Sequence, residues 1–155
     1  MPLIMRGHNA FSTNKGVALA ELAIVLACAG ILLTSTVPSF NHLRHHWNLW
    51  GATHLLESSL QWGRFHAISG NTSMMLMVDN DGRRFYWADG YTGEQFEGTM
   101  RYLPGQVRIT SSPRRALRFY QRGNAVPAGT FVVQGDTGAY RVIVNPAGRI
   151  RLEKN

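Results

Sequence analysis

The sequence has little cysteine. Its 155 residues contain one, Cys28, so no disulfide can form within the chain. A folded domain built from this chain must therefore be stabilised by its core alone. Cys28 lies in an apolar run and is best interpreted as a small packing residue.

The sequence also lacks the short motifs of common catalytic and metal sites. It has no G-x-S-x-G, no G-x-x-x-x-G-K-[ST] and no Cys/His zinc spacing. His42 and His46 would share a helix face with His45 nearby, but no carboxylate or cysteine is close to them in sequence. We therefore predict no enzyme activity, no cofactor and no metal, and we interpret these histidines as interfacial residues. A metal-dependent surface enzyme is the alternative that they leave open.

Acidic residues are scarce. The chain has nine Asp and Glu residues and 16 Lys and Arg residues, which gives a formal net charge of +7. Of the 16 basic residues, 14 are Arg. Such a balance favours an acidic partner, either nucleic acid or an anionic membrane surface. Arginine binds phosphate in a bidentate manner, although a GC-rich genome would also raise its frequency.

The longest apolar run covers residues 17–37 and contains one charge, Glu21. At about 1.5 Å per residue a helix of this length is roughly 31 Å long, enough to cross a hydrocarbon core of about 30 Å. A carboxylate within such a span costs on the order of 2.5–3.5 kcal/mol, and nothing else in the run can pair with it. Cleavage after Gly16 would give Val17 an α-amino group that could neutralise Glu21 of a neighbouring copy. An uncleaved signal anchor and a cleaved secretory signal are the alternatives.

The letters K-G-V-A-L-A-E-L at residues 15–22 resemble the prepilin cleavage signature of type IV pilins and type II secretion pseudopilins. The resemblance implies that Gly16 ends the leader and that Val17, where the family usually has Phe, is the N-methylated first mature residue. It also implies that Glu21 serves filament assembly and that Pro38 kinks the helix. The partners it implies are prepilin peptidase, other pilins or pseudopilins, and the inner membrane.

The organisation that follows has four parts: a leader at 1–16, a transmembrane and assembly half-helix at 17–38, a second half-helix at 39–71, and a β-rich globular domain at 72–155. Arg6 and Lys15 in the leader orient a single pass across the bacterial inner membrane, with the globular domain in the periplasm. Without these two residues the mature chain carries 14 basic and nine acidic residues, a net charge of +5.

Helical periodicity resumes after Pro38. Small and apolar residues form one face, and Glu57, Gln61 and Arg64 lie on the opposite face. The residues of the apolar face are Ala52, Leu55, Leu56, Ser59, Leu60, Gly63 and Ala67. Ser69-Gly70-Asn71 predicts the end of the helix, with Gly70 as the C-cap.

A period of two then predicts strands at 74–78, 85–88, 116–121, 130–134, 140–144 and 149–152, with further strands around Tyr102, Val107 and Ile109. Asp79-Asn80-Asp81-Gly82 predicts a hairpin turn. A calcium loop is the alternative, but it would need a glutamate at its twelfth position, which is absent.

Three segments in the second half, A-L-R-F-Y-Q-R-G-N, G-T-F-V-V and Y-R-V-I-V-N-P-A-G-R-I-R, resemble the C-terminal domain of the GspH/FimT family. These proteins are minor pseudopilins of type II secretion and minor pilins of type IV pili. The implied fold is α+β and type IV pilin-like, with a long N-terminal helix packed on two small antiparallel sheets.

Arginines without acidic neighbours suggest a binding surface. Six lie between Gly98 and Gly135, where there is no Asp or Glu: Arg101, Arg108, Arg114, Arg115, Arg118 and Arg122. The C-terminal segment adds Arg141, Arg149, Arg151 and Lys154. Arg149 and Arg151 would lie about 7 Å apart on one face of a strand, which suits successive phosphates.

Gly148-Arg149-Ile150-Arg151 matches the G-R-x-R pattern of DNA-binding minor pilins in this family, with Gly148 leaving the approach to the arginines open. The resemblance implies sequence-independent binding of double-stranded DNA for uptake. The alternative is a strand edge protected by charge, in a structural pseudopilin that binds no nucleic acid.

Overall fold

The computed structural model of the chain describes residues 14–154, with side chains described at 19–33 and 43–154. These residues form one helix and nine strands. They divide into two compact units, with the boundary in the chain between Asn41 and His42. The elements are α1 (Asn14–Ser69), β1 (Met74–Val78), β2 (Arg84–Asp89), β3 (Arg101–Tyr102), β4 (Arg108–Ser111), β5 (Leu117–Phe119), β6 (Ala125–Val126), β7 (Gly129–Gly135), β8 (Gly138–Val144) and β9 (Ile150–Lys154). The predicted α+β fold with two antiparallel sheets is confirmed.

In the first unit, the described part of α1 exposes its apolar side chains to a degree unusual for a soluble protein. Eight of them are 56–69 % exposed: Leu19, Leu22, Ile24, Val25, Leu26, Ile31, Leu32 and Leu33. Across the described residues, no helix provides an apolar stretch long enough to cross a membrane. The side chains of residues 1–18 and 34–42, which include the whole leader and Pro38, lie outside the description, so the predicted span, kink and leader stay predictions.

In the second unit, one face of α1 packs on both sheets. Ala52, Leu56, Leu60, Gly63 and Ala67 are buried, which confirms the predicted apolar face. The bulkiest core side chains from the strands are Phe85, Trp87, Phe119 and Phe131. With no disulfide available, the burial of this apolar surface is the main stabilising term, at about 25 cal/mol per Å².

The first sheet has the strand order β3-β2-β1-β5-β6, and its central hairpin is β1–β2. The Asp79–Gly82 turn that joins these strands confirms the predicted hairpin. Asp79 accepts hydrogen bonds from the backbone N–H of Asn80 and from Arg84, and Asp81 accepts one from the N–H of Arg83. The two carboxylates are therefore engaged in turn contacts, as predicted in preference to a calcium loop.

Two aspartates, Asp79 after β1 and Asp89 at the end of β2, make the stability of this sheet depend on pH. The Arg84 side chain and the N–H of Asn80 hold the pKa of Asp79 below its ordinary value. The N–H groups of Thr92 and Tyr91 do the same for the pKa of Asp89. Each carboxyl thus prefers its ionised form in the folded chain. Its contribution is complete above the ordinary pKa near 3.8 and is lost as pH falls through the lower, folded value.

We therefore expect the free energy of unfolding to fall as pH drops below the ordinary pKa near 3.8. The double variant Asp79→Asn, Asp89→Asn is expected to be less stable at neutral pH and to show a flatter acid profile. Chemical denaturation monitored over pH measures both effects. An acid profile identical to that of the wild type would contradict this assignment.

The second sheet has the order β4-β7-β8-β9, which leaves β9 at an edge. Along β7 and β8 the side chains alternate, so that Phe131, Val133, Val142 and Val144 are buried on one face. Ile150 and Leu152 of β9 are partly buried and pack against the same core. The opposite face of this sheet is open and carries the arginines described below.

Two local predictions differ from the structure. The residue with left-handed backbone after α1 is Asn71, with φ of 48°, rather than the predicted C-cap Gly70. Asparagine tolerates this conformation because its short polar side chain bonds locally. The short strand β6 was not predicted, because two residues carry too little periodicity to reveal a strand.

Candidate functional site

The β8–β9 turn is built by Asn145 at its start and Gly148 at its end. The Gly148 N–H donates to the Asn145 carbonyl oxygen at 2.9 Å, and Gly148 has a φ of 75°. The Asn145 side-chain oxygen accepts the N–H of Arg149 at 2.8 Å, and the Asn145 N–H donates to the Arg149 carbonyl oxygen at 3.0 Å. These bonds fix the backbone at the point where β9 begins.

Arg149 immediately precedes β9, and Arg151 lies within the strand. Both are exposed, whereas Ile150 between them is half-buried against the core. Because side chains alternate along an extended chain, the two arginines project to the same open side. Local alternation alone predicted this shared side, and the role of the pair in DNA binding stays a prediction.

The register of the sheet places Arg141 on the same open face and Lys154 on the other. Arg151 pairs with Ile143, and Arg141, two residues earlier in β8, pairs with Glu153. Lys154 pairs with Tyr140, whose side chain packs against the core. The fold thus brings Arg141, Arg149 and Arg151 onto one face, with Glu153 as an acidic neighbour, and separates Lys154 from them.

Gly148 has a packing role that the sequence did not reveal. It is buried, so it contributes little surface of its own. A Cβ at this position would meet the Gly123 carbonyl oxygen and would lie 2.8 Å from Arg64 Nε. Close contact between two turns therefore requires the glycine of G-R-x-R here. That it also leaves the approach to the arginines open stays a prediction.

Arg64 of α1 holds those two turns together. Its Nε donates to the Gly123 carbonyl oxygen at 3.0 Å, and its Nη2 donates to the Ala147 carbonyl oxygen at 3.3 Å. The sequence placed Arg64 on the face opposite the apolar one and did not indicate that its side chain is half-buried. Its partners are 59 and 83 residues away, so no local pattern could have revealed this role.

A groove of about 370 Å³ lies between α1 and the β8–β9 turn. It is lined by Gln61, Arg64, Phe65, Ile68, Gly148, Arg149 and Ile150. Phe65 is 68 % exposed and Ile68 is 47 % exposed. The groove therefore places exposed apolar surface directly beside Arg149, a juxtaposition that sequence reasoning missed.

The six arginines between Gly98 and Gly135 do not form one compact group. Arg101 and Arg118 lie in β3 and β5 of the first sheet, and Arg108 lies in β4 of the second. Arg101 donates to the Gly98 carbonyl oxygen at 2.7 Å, and Arg118 Nε lies 3.4 Å from Met75 Sδ. Arg114 and Arg115 are exposed in the loop between the sheets.

The histidines have a carboxylate near them that the sequence did not indicate. His45 Nδ1 lies 2.8 Å from an oxygen of Asp136, a residue of the β7–β8 turn. Among the residues that the structure describes, no group of three or more His, Cys, Asp or Glu could hold a metal ion. The side chain of His42 lies outside that description.

The residues predicted for processing and assembly lie at the start of α1. Gly16 and Val17 are helical, but their side chains and that of Pro38 lie outside the described ones. Glu21 is described and exposed, surrounded in sequence by exposed apolar residues. Their predicted roles in cleavage, methylation and assembly stay predictions.

A helix whose second half packs on two small antiparallel sheets defines a type IV pilin-like subunit. The family described as "Type II transport protein GspH" matches residues 52–148, more than half of the chain. The chain therefore belongs to the GspH family and is a minor pilin or pseudopilin subunit. The predicted family resemblance is confirmed.

Solved structures agree on the fold. The minor pseudopilin EpsH of the Vibrio cholerae type 2 secretion system is 16 % identical with a TM-score of 0.53, covering 67 % of this chain and 94 % of EpsH. The type IV minor pilin FimU of Pseudomonas aeruginosa is 23 % identical with a TM-score of 0.57, covering 68 % of this chain and 87 % of FimU. No curated protein matches the chain significantly in sequence.

Proposed function

We propose that the protein is a non-enzymatic filament subunit anchored in the bacterial inner membrane, with its globular domain in the periplasm. Prepilin peptidase cleaves it between Gly16 and Val17, and Val17 is then N-methylated. The supporting observation is the exposed apolar surface of α1 from Leu19 to Leu33. Apolar surface of this extent needs lipid or other helices to cover it.

We further propose that Arg149 and Arg151, with Arg141 beside them, hold DNA for uptake. The observation that carries this proposal is their common open face at the start of an edge strand, on backbone fixed by Asn145. Guanidinium groups in this position suit phosphate oxygens, which lie on the outside of a duplex of any sequence. Binding should therefore be independent of sequence and weakened by salt.

The test is DNA binding by the full-length protein in detergent micelles, measured by fluorescence anisotropy against salt concentration. The double variant Arg149→Ala, Arg151→Ala is expected to lower the slope of log K against log salt by up to about 1.8, since each phosphate contact contributes about 0.9. The matched control, Arg114→Ala with Arg115→Ala, removes the same charge from exposed residues elsewhere. Equal losses in the two variants would show non-specific attraction and contradict the proposed site.

A structural pseudopilin of type II secretion with no nucleic-acid role is the second candidate. It is favoured by the edge position of β9, because charged side chains on an edge strand prevent pairing with other chains. On this account the wild-type protein would not bind DNA even at about 50 mM salt. The double arginine variant would instead self-associate more readily, which size-exclusion chromatography measures.

A further inference from the structure

Phe65 and Ile68 form an exposed apolar patch on the last turns of α1. With Gln61 they follow a spacing of four and three residues, so the three side chains lie along one stripe of the helix. Their neighbour across the groove is Arg149. An aromatic ring that remains mostly exposed beside an arginine offers a flat stacking surface next to a positive charge.

The groove suits an anionic aromatic ligand in charge and size. Its lining residues include two arginines and no Asp or Glu. Its volume of about 370 Å³ falls in the range of small-ligand sites. Arg64 donates to the Gly123 and Ala147 carbonyl oxygens, which leaves Arg149 as the groove's arginine for a phosphate.

We propose that this groove takes an unpaired nucleobase, stacked on Phe65, while Arg149 binds a flanking phosphate. The proposal rests on the proposed DNA binding and specifies its substrate: a single strand, or a frayed duplex end, is preferred to intact duplex. In a duplex the faces of the bases are covered by their neighbours and cannot reach Phe65 unless the pair opens. Every base can stack on an aromatic ring, so the preference for single strands should not depend on the base sequence.

The experiment compares three DNA probes on the full-length protein in detergent: oligothymidylate of about 12 nucleotides, an abasic strand of the same length, and a duplex of that length. The abasic strand keeps the phosphates and lacks the rings. The wild type is expected to bind oligothymidylate at least about fivefold more tightly than the abasic strand, the lower limit for one stacked base. Phe65→Ala should remove this preference, and Phe65→Trp should keep it.

Salt dependence separates stacking from phosphate binding. Phe65→Ala should leave the slope of log K against log salt unchanged, because a stacked ring releases no counterions. Arg149→Ala should lower the slope by about 0.7, the value for one phosphate of a single strand. Tyr91→Ala is the matched control, since Tyr91 is also 68 % exposed and does not line the groove.

Four results would overturn the proposal. Equal wild-type affinity for the oligothymidylate and abasic strands would exclude stacking. A change in self-association on Phe65→Ala, with DNA binding unaltered, would assign the patch to contact between copies of the chain. If the double arginine variant loses DNA binding and Phe65→Ala does not weaken it, the arginine site stands and the groove proposal fails. Absence of any DNA binding by the wild type would refute both.

Discussion

Replacing Glu21 with alanine is expected to leave the protein in the membrane and to remove it from the filament. Alanine is at least as compatible with an apolar span as glutamate, so anchoring should not suffer. Filament assembly is different, because we propose that the Glu21 carboxylate binds the α-amino group of Val17 on a neighbouring subunit. Without the carboxylate that terminal charge would be buried unpaired, which costs several kcal/mol per ion.

The measurement is the amount of protein in sheared filaments relative to the membrane fraction. Glu21→Gln keeps the size and loses the charge, so it should fail to assemble as alanine does. Glu21→Asp keeps the charge and should retain part of the assembly. Normal incorporation of the glutamine variant would rule out pairing of charges as the reason for a carboxylate at this position.

Local sequence patterns predicted the fold well wherever a single helix, strand or turn is long enough to show its periodicity or turn residues. The apolar face of α1, the β1–β2 hairpin and the strands β7 and β8 could be predicted from periodicity and turn chemistry. Short elements such as β6 could not. The end of α1 was predicted to within two residues. The residue with left-handed backbone is Asn71, and just after it the Thr72 N–H donates to the Ala67 carbonyl oxygen.

The candidate site shows the same division. Arg149 and Arg151 could be identified because strand alternation alone places them on one side. Arg64 and Phe65 could not, since their relation to the β8–β9 turn depends on tertiary packing across more than 80 residues. Likewise, the proximity of Asp136 to His45 depends on how the β7–β8 turn approaches α1.

Gly148→Ala is expected to be among the most destabilising substitutions in the chain, at about 3 kcal/mol or more. The left-handed backbone at this position costs a residue with a Cβ roughly 1–2 kcal/mol. The added methyl group would also press on the Gly123 carbonyl, which is backbone and cannot rotate away, and on Arg64 Nε. Overpacking of this kind adds about 1–3 kcal/mol. Moving either turn would also break the Arg64 hydrogen bonds and shift Arg149.

The variant Gly93→Ala separates the cost of the left-handed backbone from the cost of overpacking. Gly93 has a φ of 76°, almost the same as the 75° of Gly148, but a Cβ there would meet nothing within 4 Å. Gly93→Ala should therefore lower the free energy of unfolding only by the cost of the left-handed backbone. Denaturant unfolding, followed by the near-UV signal of the aromatic core around Trp87, measures both variants. We expect Gly148→Ala to lose at least about 1 kcal/mol more than Gly93→Ala and to weaken DNA binding as well. Equal losses would mean that the two turns can separate freely, and Gly148 would then have no packing role behind the arginines.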